Sequence, residues 1–353
     1  MDGKYIYGII KTSDSAILGI IGLGGANQVY TVSYRGLGCV LSDYSGTEFS
    51  SMSKEELLRC LLEHQVVVEH VMREHAVLPA KFGTVLDTYD EVHDLLSQGY
   101  SQFADALSWI EDKVEVEVAA TWDMDQVLRE IGQEEAIVCT REAINSRPGQ
   151  PLLEERIHIG QMVKAAMDRR RDIYRERMIS FLKPVAVDVQ PNTLVSDELV
   201  MNVAFLIEKA TQDGFDSLVR QLNEVFHNRI DFRIIGTLPP YSFATVEVTR
   251  LSPERIEEAR QLLGLGDVFS EPEVRRAYRR LAAETHPDRR PGEALVKAQF
   301  LKLRRASDLL IAYCRGQAES GGSFLINIRR LRDEGVKHLR FAEVGAVAGA
   351  SDD

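Results

Sequence analysis

The chain has 353 residues, 44% hydrophobic and 27% charged, with a formal net charge of −12, which is ordinary globular composition at a length that calls for two or three domains. The acidic balance argues against a phosphate backbone as a general partner, so nucleic acid is not expected. Four scattered cysteines (Cys39, Cys60, Cys139, Cys314) without a CxxC pair argue against a disulfide framework or a zinc site and fit a reducing cytoplasm. Lys4 is followed at once by strand-like residues without a cleavage region, and no apolar run approaches the ~20 residues of a membrane span, so neither a secretory leader nor a membrane is expected.

Lys4 to Ile10 alternates weakly and is rich in Tyr and Ile, as a strand is. Val29–Tyr34 and Gly38–Leu41 read as two more strands around a tight Arg35-Gly36 turn. A helix begins near Ser53, where Ser53 and Glu56 match a capping box and Leu57, Leu61, Val68, Val71 and Met72 recur near helical spacing. Pro79 is expected to end it, since proline disfavours helix in the residue before it. A second helix is expected from about Asp90 to Asp112. Residues 1–113 thus read as one α+β domain.

Val114–Thr121 is the next strand, with valines on one face and Glu115 and Glu117 on the other, a solvated face by this pattern. A short helix over Asp125–Ile131 follows. Arg147-Pro148-Gly149 breaks the chain, and a long charged helix runs from about Leu152 to Leu182, where Pro184 stops it. Val185–Val189 and Val200–Ile207 read as paired strands, Phe215–Phe226 as an amphipathic helix, and Ile230–Ile235 and Phe243–Val248 as closing strands. Residues 114–250 therefore suggest a ferredoxin-like βαββαβ domain. The fold class expected is α+β: two ferredoxin-like sandwich domains and then a small all-helical domain.

That third domain is marked by a change of character. Ser252-Pro253-Glu254 is a helix start, and no strand-like run appears before Cys314. Residues 251–316 hold 13 Lys and Arg against 10 Asp and Glu, a net of +3 within a chain of −12. On one predicted helix Val274, Ala277, Tyr278 and Leu281 form a single apolar stripe, and Arg275, Arg276, Arg279 and Arg280 fall together off it. His286-Pro287-Asp288 follows, and a further helix carries Val296, Phe300, Leu303, Leu310 and Cys314 at packing spacing. A Gly/Ser break at 320–323 opens a tail, 317–353.

This stretch resembles a J-domain. Leu262-Leu263-Gly264 matches the end of that family's first helix, and Ala277-Tyr278-Arg279-Arg280-Leu281-Ala282 before His286-Pro287-Asp288 matches its second helix and signature loop. Thr285 stands where an aromatic is usual, Ser307 where a tyrosine is usual, and no Gly/Phe-rich linker or zinc repeat accompanies it. The resemblance implies Hsp70 as a partner, contacted by His286, Pro287, Asp288 and the four arginines, with stimulation of its ATP hydrolysis.

Three stretches of the first 250 residues carry a second resemblance. They are Tyr7-Gly8-Ile9-Ile10, Leu78-Pro79-Ala80-Lys81-Phe82-Gly83-Thr84-Val85, and Gly236 with Pro239-Pro240-Tyr241-Ser242-Phe243, where Thr237-Leu238 depart from the usual Pro-Trp. Together they resemble gas-vesicle accessory proteins of the GvpF/GvpL type. That implies a cytoplasmic assembly factor or minor component associated with gas vesicles, with the small hydrophobic shell subunit and other gas-vesicle proteins as partners. Within these segments Leu78, Pro79, Phe82, Gly83, Gly236, Pro239, Pro240, Tyr241 and Phe243 read as mainly structural: Pro79 ends a helix, Gly83 permits a turn and Pro239-Pro240 stiffen a loop. Two other readings stay open, a stoichiometric vesicle component whose J-like fold only docks, and a general Hsp70 co-chaperone.

Nothing in the sequence points to an enzyme. Ile21-Gly22-Leu23-Gly24-Gly25-Ala26 lacks the dinucleotide and P-loop spacings and reads as a flexible loop. His64, His70 and His75 share one helix with Glu63, Glu69 and Glu74 but form no HExxH, so no metal or other cofactor is expected. Glu134-Glu135 and Glu154-Glu155 read as surface.

Overall fold

The computed structural model describes residues 2–25, 27–47, 49–146, 152–227, 229–250, 253–284, 294–318 and 324–329. Two compact units emerge, Met1–Trp109 with Thr245–Arg329, and Ile110–Ala244.

The first unit opens with four strands, β1 (Asp2–Lys11), β2 (Ile17–Ile21), β3 (Gln28–Tyr34) and β4 (Leu37–Ser45). The β3–β4 hairpin closes through Arg35 and Gly36 at φ 50° and 85°, the positive-φ pair of a two-residue hairpin turn. Helix α1 (Lys54–Met72) starts at the expected capping box, with both Ser53 and Glu56 bonds made. Then come β5 (Val77–Pro79), β6 (Val85–Leu86), α2 (Tyr89–Gln98) and α3 (Tyr100–Ile110); α1 stops at Met72, so Pro79 does not end it but closes β5. The sheet order is β2-β3-β4-β1-β5, and β6 also pairs with β1. Four strands before the first helix is not a βαββαβ order, so the ferredoxin-like expectation for the first domain is corrected. Three of these strands are not anticipated: β2, masked by its glycines, and the short β5 and β6, which have too few residues to show a period. The helix expected over 90–112 is divided at Gly99. β1 is interior to the sheet and Tyr5, Ile6, Tyr7, Ile9 and Ile10 are all buried, which is why its alternation is weak in the sequence.

The second unit contains β7 (Lys113–Trp122), α4 (Met124–Ile131), α5 (Glu135–Asn145), α6 (Leu153–Leu182), β8 (Asp188–Pro191), β9 (Leu199–Glu208), α7 (Gln212–Val225) and β10 (Ile230–Leu238). Its sheet is antiparallel throughout in the order β10-β7-β9-β8. Val114, Val116, Val118 and Ala120 of β7 join Met167 and Met178 of α6 and Phe215, Val219 and Leu222 of α7 in one core. α5 was not anticipated. Arg170 of α6 donates to Glu130 at 2.8 Å and to Glu134 at 3.2 Å, so Glu134 is an inter-helix partner rather than plain surface.

The strand expected over 243–248 forms as β11 (Thr245–Arg250), but it belongs to the first unit and pairs with β12 (Phe324–Arg329), which the sequence reading had placed in the tail. The chain passes from one unit to the other at 109/110 and 244/245. Between the two paired strands lie α8 (Pro253–Leu263), α9 (Glu271–Glu284) and α10 (Ala294–Ala318). Leu263, Val274, Ala277, Leu303, Leu309 and Leu310 are buried together, with Tyr278, Leu281 and Cys314 packed against them. Leu310 is fully buried and Leu281 only partly so. Leu310→Ala should therefore cost about 2–5 kcal/mol, as large core deletions do, with Leu281→Ala costing less. Denaturant unfolding of the two variants checks the order, and the reverse ranking contradicts this core.

Candidate interaction site

The segment 77–86 lies along β1. Pro79, Leu78 and Val77 pair with Gly8, Ile9 and Ile10, and Val85 and Leu86 pair with Tyr5 and Lys4. Between these stretches the Ala80 N–H donates to Tyr7 O at 2.9 Å and the Ile6 N–H to Thr84 O at 2.9 Å. Gly83 takes φ 84°, a conformation glycine adopts without a Cβ penalty. Gly8 is fixed by contact: a Cβ there would lie 2.8 Å from Leu78 O. Tyr7-Gly8-Ile9-Ile10 and Leu78–Val85 are thus two sides of one ladder. On its far side the Lys81 N–H donates to Val246 O at 2.8 Å, and the Lys81 ammonium pairs with Glu247 of β11.

Phe82 enters an aromatic cluster, with ring centroids 5.1 Å from Phe49, 5.8 Å from His64 and 6.4 Å from Tyr5. His64 is buried, shares a hydrogen bond with Tyr5 Oη at 2.9 Å through Nδ1, and stacks on Tyr7 at 5.6 Å. Burial pushes its imidazole down to about 3, so it is neutral at neutral pH. His70 and His75 are only half-buried, and among the described residues no group of three or more His, Cys, Asp or Glu could hold a metal. The glycine-rich loop is tied to this cluster, correcting the flexible-loop expectation. Leu23 is buried and its N–H donates to Tyr7 Oη at 2.7 Å, while the Gly24 N–H donates to Glu63 at 2.9 Å.

The second family segment begins inside β10 at Gly236, which faces Val116 of β7. Thr237, where the family pattern has proline, shares hydrogen bonds with Gln212 at 2.9 and 3.0 Å. Pro239 and Pro240 are buried and form a turn, with the Tyr241 N–H donating to Pro239 O at 2.7 Å and the Phe243 N–H to Pro240 O at 3.0 Å. Phe243 is buried and Tyr241 half-buried. The group that holds this turn is Glu115. It is 2% exposed, and its carboxylate accepts from the Ser242 N–H at 2.7 Å and from the Ser242 hydroxyl. Glu117, 5% exposed, accepts from Asn192 Nδ2 at 3.3 Å. The expectation of a solvated Glu115/Glu117 face is therefore wrong. Period-2 patterning marks two faces but does not say that loops cover the second one. Two carboxylates in the middle of a valine-rich interior strand were the available signal.

In the helical module α8 ends at Gly264, φ 64°, with Arg260 Nη1 donating to Leu265 O at 2.7 Å. α9 begins at Ser270, whose N–H donates to Glu273 at 2.9 Å. Arg275, Arg276, Arg279 and Arg280 are all exposed, as expected of one basic face. Arg275 pairs with Glu271 at 2.7 Å one turn earlier. His286, Pro287 and Asp288 lie outside the described residues, as does the side chain of Val296.

Comparison with known proteins follows this division. The family described as gas vesicle synthesis protein GvpL/GvpF matches residues 3–245. The chain belongs to the GvpL/GvpF family. A DnaJ domain matches residues 260–313. Gas vesicle protein F of a Streptomyces strain is 28% identical over 68% of this chain and 98% of its own length, and that of a Nostoc strain 25% over 69% and 98%. Among solved structures, gas vesicle protein GvpF from Anabaena aligns with TM-score 0.58 at 23% identity over 69% of this chain and 98% of that one. GvpF from Microcystis aeruginosa gives 0.56 at 24% identity over 68% and 98%. These two show a shared fold. The GvpL/GvpF match stops at the first residue of β11, so the rest of β11, the helical module and β12 lie outside it. The family is described by gas vesicle synthesis and not by a reaction, and no described helix is long and apolar enough to cross a membrane.

Two measurements test the buried groups. Glu115→Ala should destabilise the protein by about 2–3 kcal/mol, because a charge-assisted bond is lost and a buried N–H is left without its acceptor, while Asp231→Ala on exposed β10 stays within about 0.5 kcal/mol. Equal costs in thermal unfolding would return Glu115 to the surface. For His64, the folded pKa lies below the unfolded value of about 6.5, so the unfolded chain binds the extra proton and stability falls as pH drops through 6.5. Between pH 7.5 and 5 this loss should be about 2 kcal/mol and should be absent in His64→Phe. Urea unfolding at both pH values, with parallel losses in both proteins, would contradict a buried neutral imidazole.

Proposed function

We propose that this chain is a gas-vesicle assembly factor whose GvpL/GvpF-type body binds the small apolar shell subunit and whose J-like module brings Hsp70 to that client. The observation that carries the reading is the family match over residues 3–245, with its motif segments seated on β1 and on Glu115. A shell subunit apolar enough to face gas would aggregate in water before assembly. A hydrophilic partner that covers it and releases it removes that hazard. The proposed site of action is the cytoplasm, at growing vesicles, with other gas-vesicle proteins as further partners. The order β10-β7-β9-β8 supports the ferredoxin-like reading of the second unit. His286, Pro287 and Asp288, with Arg275, Arg276, Arg279 and Arg280, are the proposed Hsp70 contacts. The exposed arginine face of α9 and the DnaJ match support this assignment.

The two roles are separable because Arg250 and Phe324 are opposed in the β11–β12 ladder. Replacing residues 251–323 by Asn-Gly converts the strand pair into a hairpin. The spliced protein should still co-purify with the shell subunit. A folded spliced protein that captures none would place binding in the module instead. Asp288→Asn in the full chain removes one charge and keeps shape, so folding should change by no more than ~0.5 kcal/mol. It should abolish stimulation of Hsp70 ATPase seen with the native chain and leave shell-subunit capture intact. No stimulation by the native chain would leave the module a docking fold only.

A further inference from the structure

The first unit's sheet ends at β2, whose outer edge pairs with no described strand. Two positions tie β2 to β3, Ile17↔Tyr30 and Ile21↔Gln28, with a register shift between them. Gly19 lies in that shift at φ 68°. A bulge of this kind turns an edge strand away from further pairing, so what β2 offers is its side chains. Ile17 is 65% exposed and Ile21 61%. Residues directly opposite in an antiparallel pair share a face, so both isoleucines stand on the face that carries Gln28 and Tyr30. Tyr30 meets Tyr89 of α2 there, with ring centroids 6.3 Å apart and hydroxyls 2.8 Å apart, and Tyr89 is itself 46% exposed. The charged groups beside these tyrosines, Lys4 and Asp43, pair with each other. From Ser15 to Tyr34 the sequence has no Asp, Glu, Lys, Arg or His, in a chain of net charge −12. Edge strands are ordinarily guarded by charge, and this one is not.

We propose that Ile17 and Ile21, with Tyr30 and Tyr89 beside them, form the surface on which the apolar shell subunit docks. The inference rests on the reading above that the shell subunit is the client of this chain. An uncharged patch of aliphatic and aromatic side chains offers a charged partner no counter-charge, and what it gains on binding is the burial of apolar area. Tyrosine suits such a surface because its ring is apolar and its hydroxyl stays hydrogen-bonded. A second copy of this chain is disfavoured as the occupant, because two chains at −12 repel each other. The patch also lies inside residues 3–245, the part that matches the gas vesicle synthesis family.

The test uses the full chain, tagged and co-expressed with the shell subunit. Native protein should retain the subunit through purification. Ile17→Lys combined with Ile21→Lys should cut capture by roughly tenfold or more with an unchanged circular dichroism melt. Ile17→Thr combined with Ile21→Thr, which keeps the β-branch, should cut it less. Ile173→Lys, at a residue of α6 that is 64% exposed, should capture as the native protein does. Undiminished capture by the folded lysine pair overturns this docking site and leaves the assembly role standing, as does an equal loss from Ile173→Lys. If the lysine pair does not fold, undiminished capture by the threonine pair overturns it. No capture by native protein removes the shell subunit as client, and this site with it. A native dimer that the lysine pair makes monomeric in sedimentation, with capture unchanged, would assign the patch to a second copy instead.

Discussion

The first unit depends on β1 being enclosed on every side. β4 pairs along one edge and the 77–79 and 85–86 stretches along the other, and both faces are buried. A strand in that position tolerates no unpaired polar group, and it places two tyrosines, Tyr5 and Tyr7, where their hydroxyls must find partners. They find His64, Ser42 and the Leu23 N–H. The same enclosure explains the motif residues. Gly8 lets the Leu78 carbonyl approach, Gly83 turns the chain between its two contacts with β1, and Phe82 fills the aromatic cluster. Side chains that close a ladder are constrained by packing whatever the surface of the protein binds.

A different constraint governs the second unit. A buried carboxylate is costly unless its oxygens are satisfied, and Glu115 is satisfied by one turn of one loop, at Ser242. The buried prolines just before it stiffen the same turn. The first GvpL/GvpF motif segment is built into the ladder on β1 and the second into the turn held by Glu115.

Local chemistry was legible and long-range pairing was not. The Ser53 capping box, the Arg35-Gly36 hairpin, the long α6 and the Val274–Ala277 stripe each depend on residues within a few positions of one another, and each appears as expected. β2 was hidden by glycines whose loop tendency is overridden by pairing with β3. The burial of Glu115 depends on a residue far along the chain, and β11 finds its partner only beyond three helices. No periodicity in a window of residues carries such information. The module itself was readable because its helices pack mainly on one another.

The chain joins a GvpL/GvpF match over residues 3–245 to a DnaJ match over residues 260–313. The proposed function assigns the shell subunit to the first match and Hsp70 to the second. The most direct measurement is a pull-down of the intact protein from vesicle-forming cells, quantified for shell subunit and for Hsp70 with and without ATP. Enrichment of both, with Hsp70 recovery dependent on ATP, is the predicted result. Recovery of Hsp70 without shell subunit, or of neither protein, would contradict it.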